Sequence, residues 1–161
     1  MTTSSIDLDS PLGTVRLFAE DDLLSAIWLP GPGVPPPAGD AGPRLGEAAA
    51  QLADYFAGRR FTFSIPLHQR GTPFQRTVWA ALAQIPYGET CSYGELARAI
   101  GRPAASRAVG AANGRNPLAI VVPCHRVIAA DGTLHGYAGG LPVKRWLLDH
   151  EARHRREMNA S

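Results

Sequence analysis

The first part of the chain alternates apolar and polar residues, a period that is typical of β-strands. Two such runs, SSIDLDS at 4–10 and TVRLFAE at 14–20, flank the turn SPLG, in which proline and glycine stand where a hairpin needs them. A third apolar run, LLSAIWL, occupies 23–29. The pattern predicts three strands, with the first two joined as a hairpin.

A loop and a helix are predicted after these strands. Residues 30–43 contain six prolines and four glycines, a composition that excludes helix and sheet and predicts a surface loop. From Leu45 to Phe56 apolar residues recur at helical spacing, and Gly58 ends the helix. The run FTFSIPL at 61–67 predicts one further strand. This part of the chain contains no arrangement of residues that points to chemistry.

The period becomes helical in the second half of the chain. Residues 73–86 place apolar side chains on one stripe, and the proline at the end of the run stops the helix. Residues 91–101 open with Ser92, followed three positions later by Glu95, which is a capping box, and they end at a glycine. Residues 102–116 predict a second short helix that stops near Gly114, so the two helices form a helix-turn-helix pattern.

The second helix of this pair consists largely of alanine and glycine, with Arg107 as the long side chain in its middle. Small residues permit close packing between helices, which is one interpretation. They also suit a helix that lies against a narrow surface, such as the minor groove of DNA, and inserts a single long side chain. The residues alone leave both interpretations open.

A last helix is predicted over 139–151. Val143, Leu147 and Glu151 fall on one stripe together with Trp146, so a carboxylate extends an apolar face. Because an isolated buried charge is very costly, this carboxylate needs a partner. The partner is either one of the arginines, in a salt bridge, or a histidine that the carboxylate holds in one tautomer.

These patterns divide the 161 residues into an N-terminal α/β domain over 1–69, which includes the loop, and a C-terminal domain over 70–161. The first carries four basic and eight acidic residues, giving −4, and the second carries twelve basic and six acidic residues, giving +6. All but one of those twelve are arginine. A charged face is usually only solvated, but a surplus of arginine is also typical of a surface that binds phosphates.

Several classes of protein are disfavoured by the sequence. No apolar run approaches the roughly 20 residues of a membrane helix, and the first residues lack the pattern of a signal peptide, so we expect a cytoplasmic protein with no membrane partner. A reducing compartment disfavours a disulfide between Cys91 and Cys124. Neither cysteine belongs to a CxxC or CxxH pair, and the five histidines show no ligand spacing, so we expect no metal.

Cys124 follows the apolar run Leu118–Val122, which predicts a buried strand. Pro123 cannot donate a hydrogen bond to a sheet, so the strand should end there and place the cysteine beside a cavity. A buried structural cysteine is one interpretation. A nucleophile is the other, because His125 and Glu151 could form a Cys–His–Glu relay that activates the thiol.

The sequence PCHRV at 123–127 and the blocks around it resemble the O6-alkylguanine-DNA alkyltransferases, also called methylated-DNA–protein-cysteine methyltransferases. The resemblance covers nearly all of 73–152, in the order IPYGETCSYGELA, SRAVGAANGRNP, LAIVV, PCHRV, GYAGG and KRWLLDHE. It implies an α+β protein with an N-terminal ribonuclease-H-like α/β domain. A mainly helical, winged helix-turn-helix-like domain, which binds DNA and transfers the alkyl group, would follow it.

The resemblance also implies an activity, which is DNA repair by direct and stoichiometric transfer. The alkyl group of O6-alkylguanine, and also of O4-alkylthymine, would pass from duplex DNA to Cys124, with flipping of the base. The thioether product would inactivate the protein irreversibly, and no cofactor would be needed. The partner would be double-stranded DNA that contains alkylated bases. We expect a monomer, with cooperative binding along DNA left open.

The same resemblance implies roles for the catalytic residues. Cys124 matches the acceptor, and His125 matches the histidine that deprotonates it through a bridging water. Glu151 matches the glutamate that holds this histidine. Asn116 matches the asparagine that ties the active-site loop together, and Tyr93 matches the tyrosine that donates a proton or hydrogen bond to the leaving guanine.

Further residues are expected at DNA and around the alkyl group. Arg107 matches the arginine finger that fills the gap left by the flipped nucleotide. The other residues expected at DNA lie around it on the same helix: Ala105, Ser106, Gly110, Ala111, Asn113 and Arg115. The residues expected to line the substrate pocket are Tyr93, Val122, Pro123, Tyr137 and Ala138. Ala138 departs from several relatives, which have a serine there.

Two other functions fit the sequence less well. A non-catalytic protein that only binds damaged DNA would lack the acceptor cysteine, and Cys124 is present. A helix-turn-helix regulator would present several long polar side chains to base edges, whereas this helix presents mainly alanines and Arg107.

Overall fold

The computed structural model describes most of the chain, namely residues 3–31, 33–40, 42, 45–137 and 139–160. It divides into two compact units, the first from 1–70 and 117–119 and the second from 71–116 and 120–161. Among the described residues, no helix is long and apolar enough to cross a membrane.

The first unit contains a three-stranded antiparallel sheet. Its strands are β1 (Thr3–Ser10), β2 (Gly13–Glu20) and β3 (Leu23–Trp28), in the spatial order β1-β2-β3. Alternate residues of β2 from Val15 to Ala19 are buried, as the period of two predicts. The three predicted strands and the hairpin between the first two are confirmed.

A helix, α1 (Leu45–Phe56), packs on β1 and β2 and confirms the predicted helix. Its buried face includes Leu52 and Tyr55, which are fully buried in the core of this unit. The described residues of the predicted loop form neither helix nor strand, and an N–H···O bond from Ser5 to Asp40 fastens the loop to β1. Three residues of the predicted loop lie outside the described residues: Pro32, Ala41 and Pro43.

The strand predicted at 61–67 is wrong. Only Leu67 pairs with a strand, in an isolated parallel bridge to Leu24. The N–H of Ser64 donates instead to the side chain of Gln51, at 3.0 Å, and the proline before Leu67 has no N–H to donate. A side chain thus takes the place of a neighbouring strand, so no regular ladder forms.

The strand predicted over Leu118–Val122 is also wrong. Leu118 belongs to the first unit and makes one isolated parallel bridge there, to Ile27. The chain then turns. Ile120 sits at φ +72°, in the left-handed region, which is unusual for a β-branched residue and reverses the direction of the chain. The run is buried, as expected, but as a turn.

The second unit is mainly helical. Its described helices are α2 (Pro73–Leu82), α3 (Tyr93–Ala99), α4 (Ser106–Gly114) and α5 (Leu141–Ala160). Two short parallel strands, β4 (Cys91–Ser92) and β5 (Val127–Ile128), pair beside them. A single 3₁₀ turn spans Cys124–Arg126.

Three helix boundaries differ from the prediction. α2 ends at Leu82, because the N–H groups of Gln84 and Ile85 bond three residues back and the residue before Pro86 is disfavoured in a helix. α4 begins only at Ser106, because a turn from Arg102 to the N–H of Ala105 precedes it. α5 starts two residues later than predicted and continues to Ala160, well past Glu151.

Capping boxes fix the starts of two helices. The predicted box of Ser92 and Glu95 is confirmed at α3, where each side chain bonds the backbone of the other residue. Thr72 and Gln75 form a second box at α2. The sequence TPFQ contains this signal, which the apolar stripe alone does not reveal.

Candidate active site

Cys124 lies at the start of the 3₁₀ turn and is 5% exposed. Pro123, at φ −81° and ψ 66°, forms an inverse γ-turn in which the N–H of Cys124 donates to Val122 O at 2.8 Å. Asn116 Nδ2 donates to the same carbonyl, also at 2.8 Å. These two bonds fix the backbone that carries the thiol.

The surroundings of Cys124 keep its thiol protonated at rest. Burial raises the pKa of the Cys124 thiol, and interactions with Asn116, Lys144 and Tyr137 only partly oppose this effect. Since the thiolate is the nucleophilic form, the cysteine needs a base to react.

His125 provides a base next to the thiol in sequence. The ring is fully buried, and Nε2 lies 2.6 Å from Glu151 Oε2. Because a carboxylate only accepts hydrogen bonds, the proton of the neutral ring belongs on Nε2, and Nδ1 keeps its lone pair. Nδ1 is buried and has no hydrogen-bond partner among the described residues. Burial lowers the pKa of His125 in spite of Glu151, so the ring is neutral and can accept a proton.

Glu151 is bonded by three groups in the interior. In addition to His125, Arg126 donates from Nε to Oε1 at 2.7 Å and from Nη2 to Oε2 at 3.0 Å. The N–H of Gly88, a residue at φ +77°, donates to Oε1 at 3.2 Å. Burial alone would raise the pKa of Glu151, but His125 and Arg126 outweigh it and hold the pKa well below its ordinary value. The two partners left open for this carboxylate, an arginine and a histidine, are therefore both present.

Two tyrosines stand near the thiol. Burial raises the pKa of the half-buried Tyr93 hydroxyl, and Cys124 adds to the effect. α4 packs against this ring, since a Cβ on Gly110 would lie 3.7 Å from it. The Tyr137 hydroxyl is buried, and it and the thiol lie close enough to shift each other's pKa. No hydrogen bond of standard geometry joins the Tyr137 hydroxyl to a described residue.

The structure thus gathers most of the predicted site. Val122 and Pro123 are buried in the segment that leads to the thiol, and Asn116 bonds that segment from its other end. Ala138, expected to line the pocket, lies outside the described residues.

The residues expected at DNA divide by exposure. Arg107 and Ala111 are exposed on one face of α4, and Arg115, the residue that follows the helix, is exposed at the same interval of four. Half-exposed residues flank this face: Ala105, Ser106 and Gly110. Asn113 is on the opposite face. It is 4% exposed and its Nδ2 donates to Cys124 O at 3.4 Å, so in this structure it bonds the segment that carries the thiol.

Sequence reasoning missed two charged residues of the site. Arg126 was visible only as part of PCHRV, with no partner assigned. Lys144 is the only lysine of the chain and is fully buried, and its Nζ donates to Val127 O at 2.7 Å and to His135 O at 3.1 Å. Lys144 precedes Glu151 by seven positions, or two helical turns, so the sequence did place both residues on the same face of the last helix.

The described residues offer no group of three or more His, Cys, Asp or Glu side chains that could hold a metal ion. What they do offer is a neutral thiol and a neutral imidazole with a free lone pair, which a carboxylate orients. Such a set can transfer a proton from sulfur to nitrogen and create a thiolate at the moment of attack on an electrophilic carbon.

Comparisons with known proteins agree with this chemistry. The family model described as "6-O-methylguanine DNA methyltransferase, DNA binding domain" matches residues 73–153. A methylated-DNA–protein-cysteine methyltransferase of Mycolicibacterium paratuberculosis is 51% identical over 150 residues, which are 91% of each chain. The crystal structure of the Mycobacterium tuberculosis O6-methylguanine methyltransferase matches with a TM-score of 0.87 at 46% identity, over 95% of this chain and 94% of that one.

A crystal structure of the Mycobacterium tuberculosis protein OGT in complex with DNA matches with a TM-score of 0.85 at 47% identity, over 94% of each chain. The resemblance read from the motifs is confirmed by these matches. The chain belongs to the methylated-DNA–protein-cysteine methyltransferase family.

Proposed function

We propose that this chain repairs DNA by transferring the alkyl group of O6-alkylguanine to the sulfur of its own Cys124. The observation that carries the proposal is the buried thiol beside the oriented, neutral His125, whose Nδ1 is free among the described residues. The names of the relatives and the DNA complex of one of them support the substrate class.

The reaction needs one proton transfer and one displacement. His125 Nδ1 takes the proton of the thiol, directly or through a water molecule, and Glu151 stabilises the imidazolium that results. The thiolate of Cys124 attacks the alkyl carbon in line with the C–O6 bond. The S–C bond forms as the C–O6 bond breaks, and its electron pair leaves with guanine. Tyr93 donates a hydrogen bond or proton to the leaving base.

The product is a thioether, and no described residue near it could hydrolyse a carbon–sulfur bond. Each molecule therefore acts once. Asn116 holds the segment before the nucleophile, and Tyr137 with Val122 and Pro123 would line the space for the alkyl group. The same attack suits an alkyl group on O4 of thymine, which we propose as a second substrate.

The target atom lies on a base edge inside the duplex, so we propose that the nucleotide is flipped out. The exposed face of α4 supports this proposal, because small residues let the helix approach DNA closely and Arg107 is long enough to fill the gap. Arg115 and Ala111 would extend the contact along the helix, with Ala105, Ser106 and Gly110 beside them.

We also propose the finer features of the fold and assembly. The antiparallel sheet with one covering helix would be a small ribonuclease-H-like domain over 1–69. The pair α3 and α4 with the short strands would form a winged helix-turn-helix-like domain over 70–161. The protein would act as a monomer on double-stranded DNA.

Mass spectrometry of the intact protein tests the function. Incubation with a duplex that carries one O6-methylguanine should add one methyl group, mapped to Cys124, and Cys124→Ser should gain none. Cys91→Ser is the matched control and should react normally, because burial and Glu95 raise the pKa of the Cys91 thiol to about 11. An unchanged mass in the wild-type protein, or a methyl group on Cys91, would contradict the proposal.

A further inference from the structure

Arg126 is buried beside the proposed base, and the reaction described above gives it no task. Its guanidinium places two nitrogens on Glu151, at 2.7 and 3.0 Å, and the third, Nη1, on Ile85 O at 2.7 Å. Only 6% of the side chain is exposed. A planar fork that satisfies a carboxylate with two bonds fixes that carboxylate in angle as well as in charge.

We infer that Arg126 is a positioning residue of the alkyl transfer, which keeps Glu151 ionised and oriented so that His125 remains the neutral, Nε2-protonated base. This inference rests on the proposed function. Arg126 does not touch the reacting atoms, and it acts through Glu151.

The charges around the relay explain why an arginine is needed. A neutral His125 with an ionised Glu151 carries one negative charge in the interior, and such a pair would take up a proton. Arg126 cancels that charge with two hydrogen bonds. Among the described residues, the other groups that face the relay are Lys144, which is held by two carbonyls of the backbone, and groups that are neutral at rest: Cys124, Tyr87 and Tyr137.

Arg126 also joins the base to the segment that carries the proposed acid. Besides bonding Ile85 O, its guanidinium lies 5.7 Å from the centre of the Tyr87 ring. The next residue, Gly88, donates to Glu151, and β4, paired with β5, leads from there into Tyr93. Arg126, together with the bond from Gly88 and the pairing of β4 with β5, therefore fixes the position of His125 relative to the start of α3.

The rate of alkylation of Cys124 by free O6-benzylguanine, measured from about pH 5 to pH 9, tests the inference. Arg126→Met should slow the reaction. The acid limb of the pH–rate profile, where protonation of His125 lowers the rate, should move to higher pH by about one to three units, because His125 and Glu151 bind a proton more readily without the arginine charge. Arg126→Lys keeps the charge and should keep the acid limb while losing rate. Arg155→Lys is the control: this half-exposed arginine pairs with Glu89 in the same segment, keeps its charge as lysine, and should leave both readouts unchanged.

If Arg126→Met reacts more slowly but the acid limb of its pH–rate profile does not shift, the arginine has only a structural role and the inference is overturned. If Arg126→Met does not fold, NMR of the His125 ring in the wild-type protein decides. The Nε2-protonated neutral form should persist below the ordinary histidine pKa of about 6.5, and protonation at that value would overturn the inference. Failure of the proposed function itself is separate, because the wild-type protein would then gain no alkyl group on Cys124.

Discussion

The two units of this protein place their charges differently. Among the described residues of the first unit, each ion pair leaves at least about a third of one side chain exposed, as in Asp7 with Arg16 and Glu20 with Arg70. The second unit buries His125, Arg126 and Glu151 in one cluster, with at most 6% of any of these side chains exposed.

This difference separates exposed charges, which have little effect on stability, from buried charges, which need a functional explanation. An exposed ion pair contributes little to stability, because water screens it and ordering the side chains costs entropy. A buried cluster is costly to assemble, and apolar residues in its place are often as stable. The cluster in the second unit is therefore better explained by the orientation of His125 beside Cys124 than by the needs of the fold.

The largest effect is expected from breaking the cluster. Glu151→Ala leaves Arg126 buried without its carboxylate, which should lower the free energy of unfolding by about 3–5 kcal/mol. Urea denaturation measures this loss. Glu89→Ala is the control, because it removes an exposed carboxylate that also pairs with an arginine, Arg155, and should change little. Equal losses for the two variants would remove the distinction between buried and exposed charges.

Lys144 extends the comparison to a buried charge that pairs with no carboxylate among the residues the structure describes. Lys144→Met keeps the apolar stem but leaves the carbonyls of Val127 and His135 without their donor, so we expect a loss of about 1–3 kcal/mol in the free energy of unfolding. The same denaturation series measures it, with the exposed neighbour Arg145→Met as control. A neutral or stabilising Lys144→Met would show that the ammonium is dispensable to the fold.

Acid should weaken the buried cluster through His125. Its pKa is lowered in the folded state, so the unfolded chain binds more protons below its ordinary value of 6.5. Stability is therefore full above that pH and falls as the pH drops towards the folded pKa, by at most about 1.4 kcal/mol per pH unit. The lowered pKa of Glu151 adds a loss of the same sign below its ordinary value of 4.5.

Unfolding free energies at a series of pH values between neutral and mildly acidic measure this slope. His125→Gln removes the titrating ring and should flatten the slope just below pH 6.5. A slope that survives in this variant would assign the acid sensitivity to other groups.

Residues whose structure depends on near neighbours in sequence were predicted well. Ser92 and Glu95 cap α3 because they bond each other's backbone, and the hairpin of β1 and β2 forms around its own turn. His125 and Glu151, which the sequence could place in a relay with Cys124, are bonded to each other, but the buried thiol lies at the start of a 3₁₀ turn and not at the end of a strand.

Structure that depends on distant contacts was not predictable in the same way. A short apolar run does not tell a strand from a buried turn. The segment around Ile120 forms a turn that is closed by the bond from Asn116 Nδ2 to Val122 O. The N–H of Ser64 donates to the side chain of Gln51 on α1 instead of to a neighbouring strand. Nor could the sequence assign the bonds of Arg126, because its partners lie far along the chain.

The smallest effect on stability is expected from Arg107, an exposed charge in the unit that also contains the buried cluster. It forms no hydrogen bond or ion pair with a described residue, so Arg107→Ala should change the free energy of unfolding by no more than about 0.5 kcal/mol. Its repair of O6-methylguanine in a duplex should nevertheless fall far more than its reaction with free O6-benzylguanine, because only the duplex requires a gap to be filled. Arg153→Ala, an exposed arginine on α5, is the control for loss of positive charge. If Arg107→Ala lowers the reaction rate equally on both substrates, the finger role is contradicted, because a residue that acts by filling a gap in the duplex cannot slow the reaction with a free base.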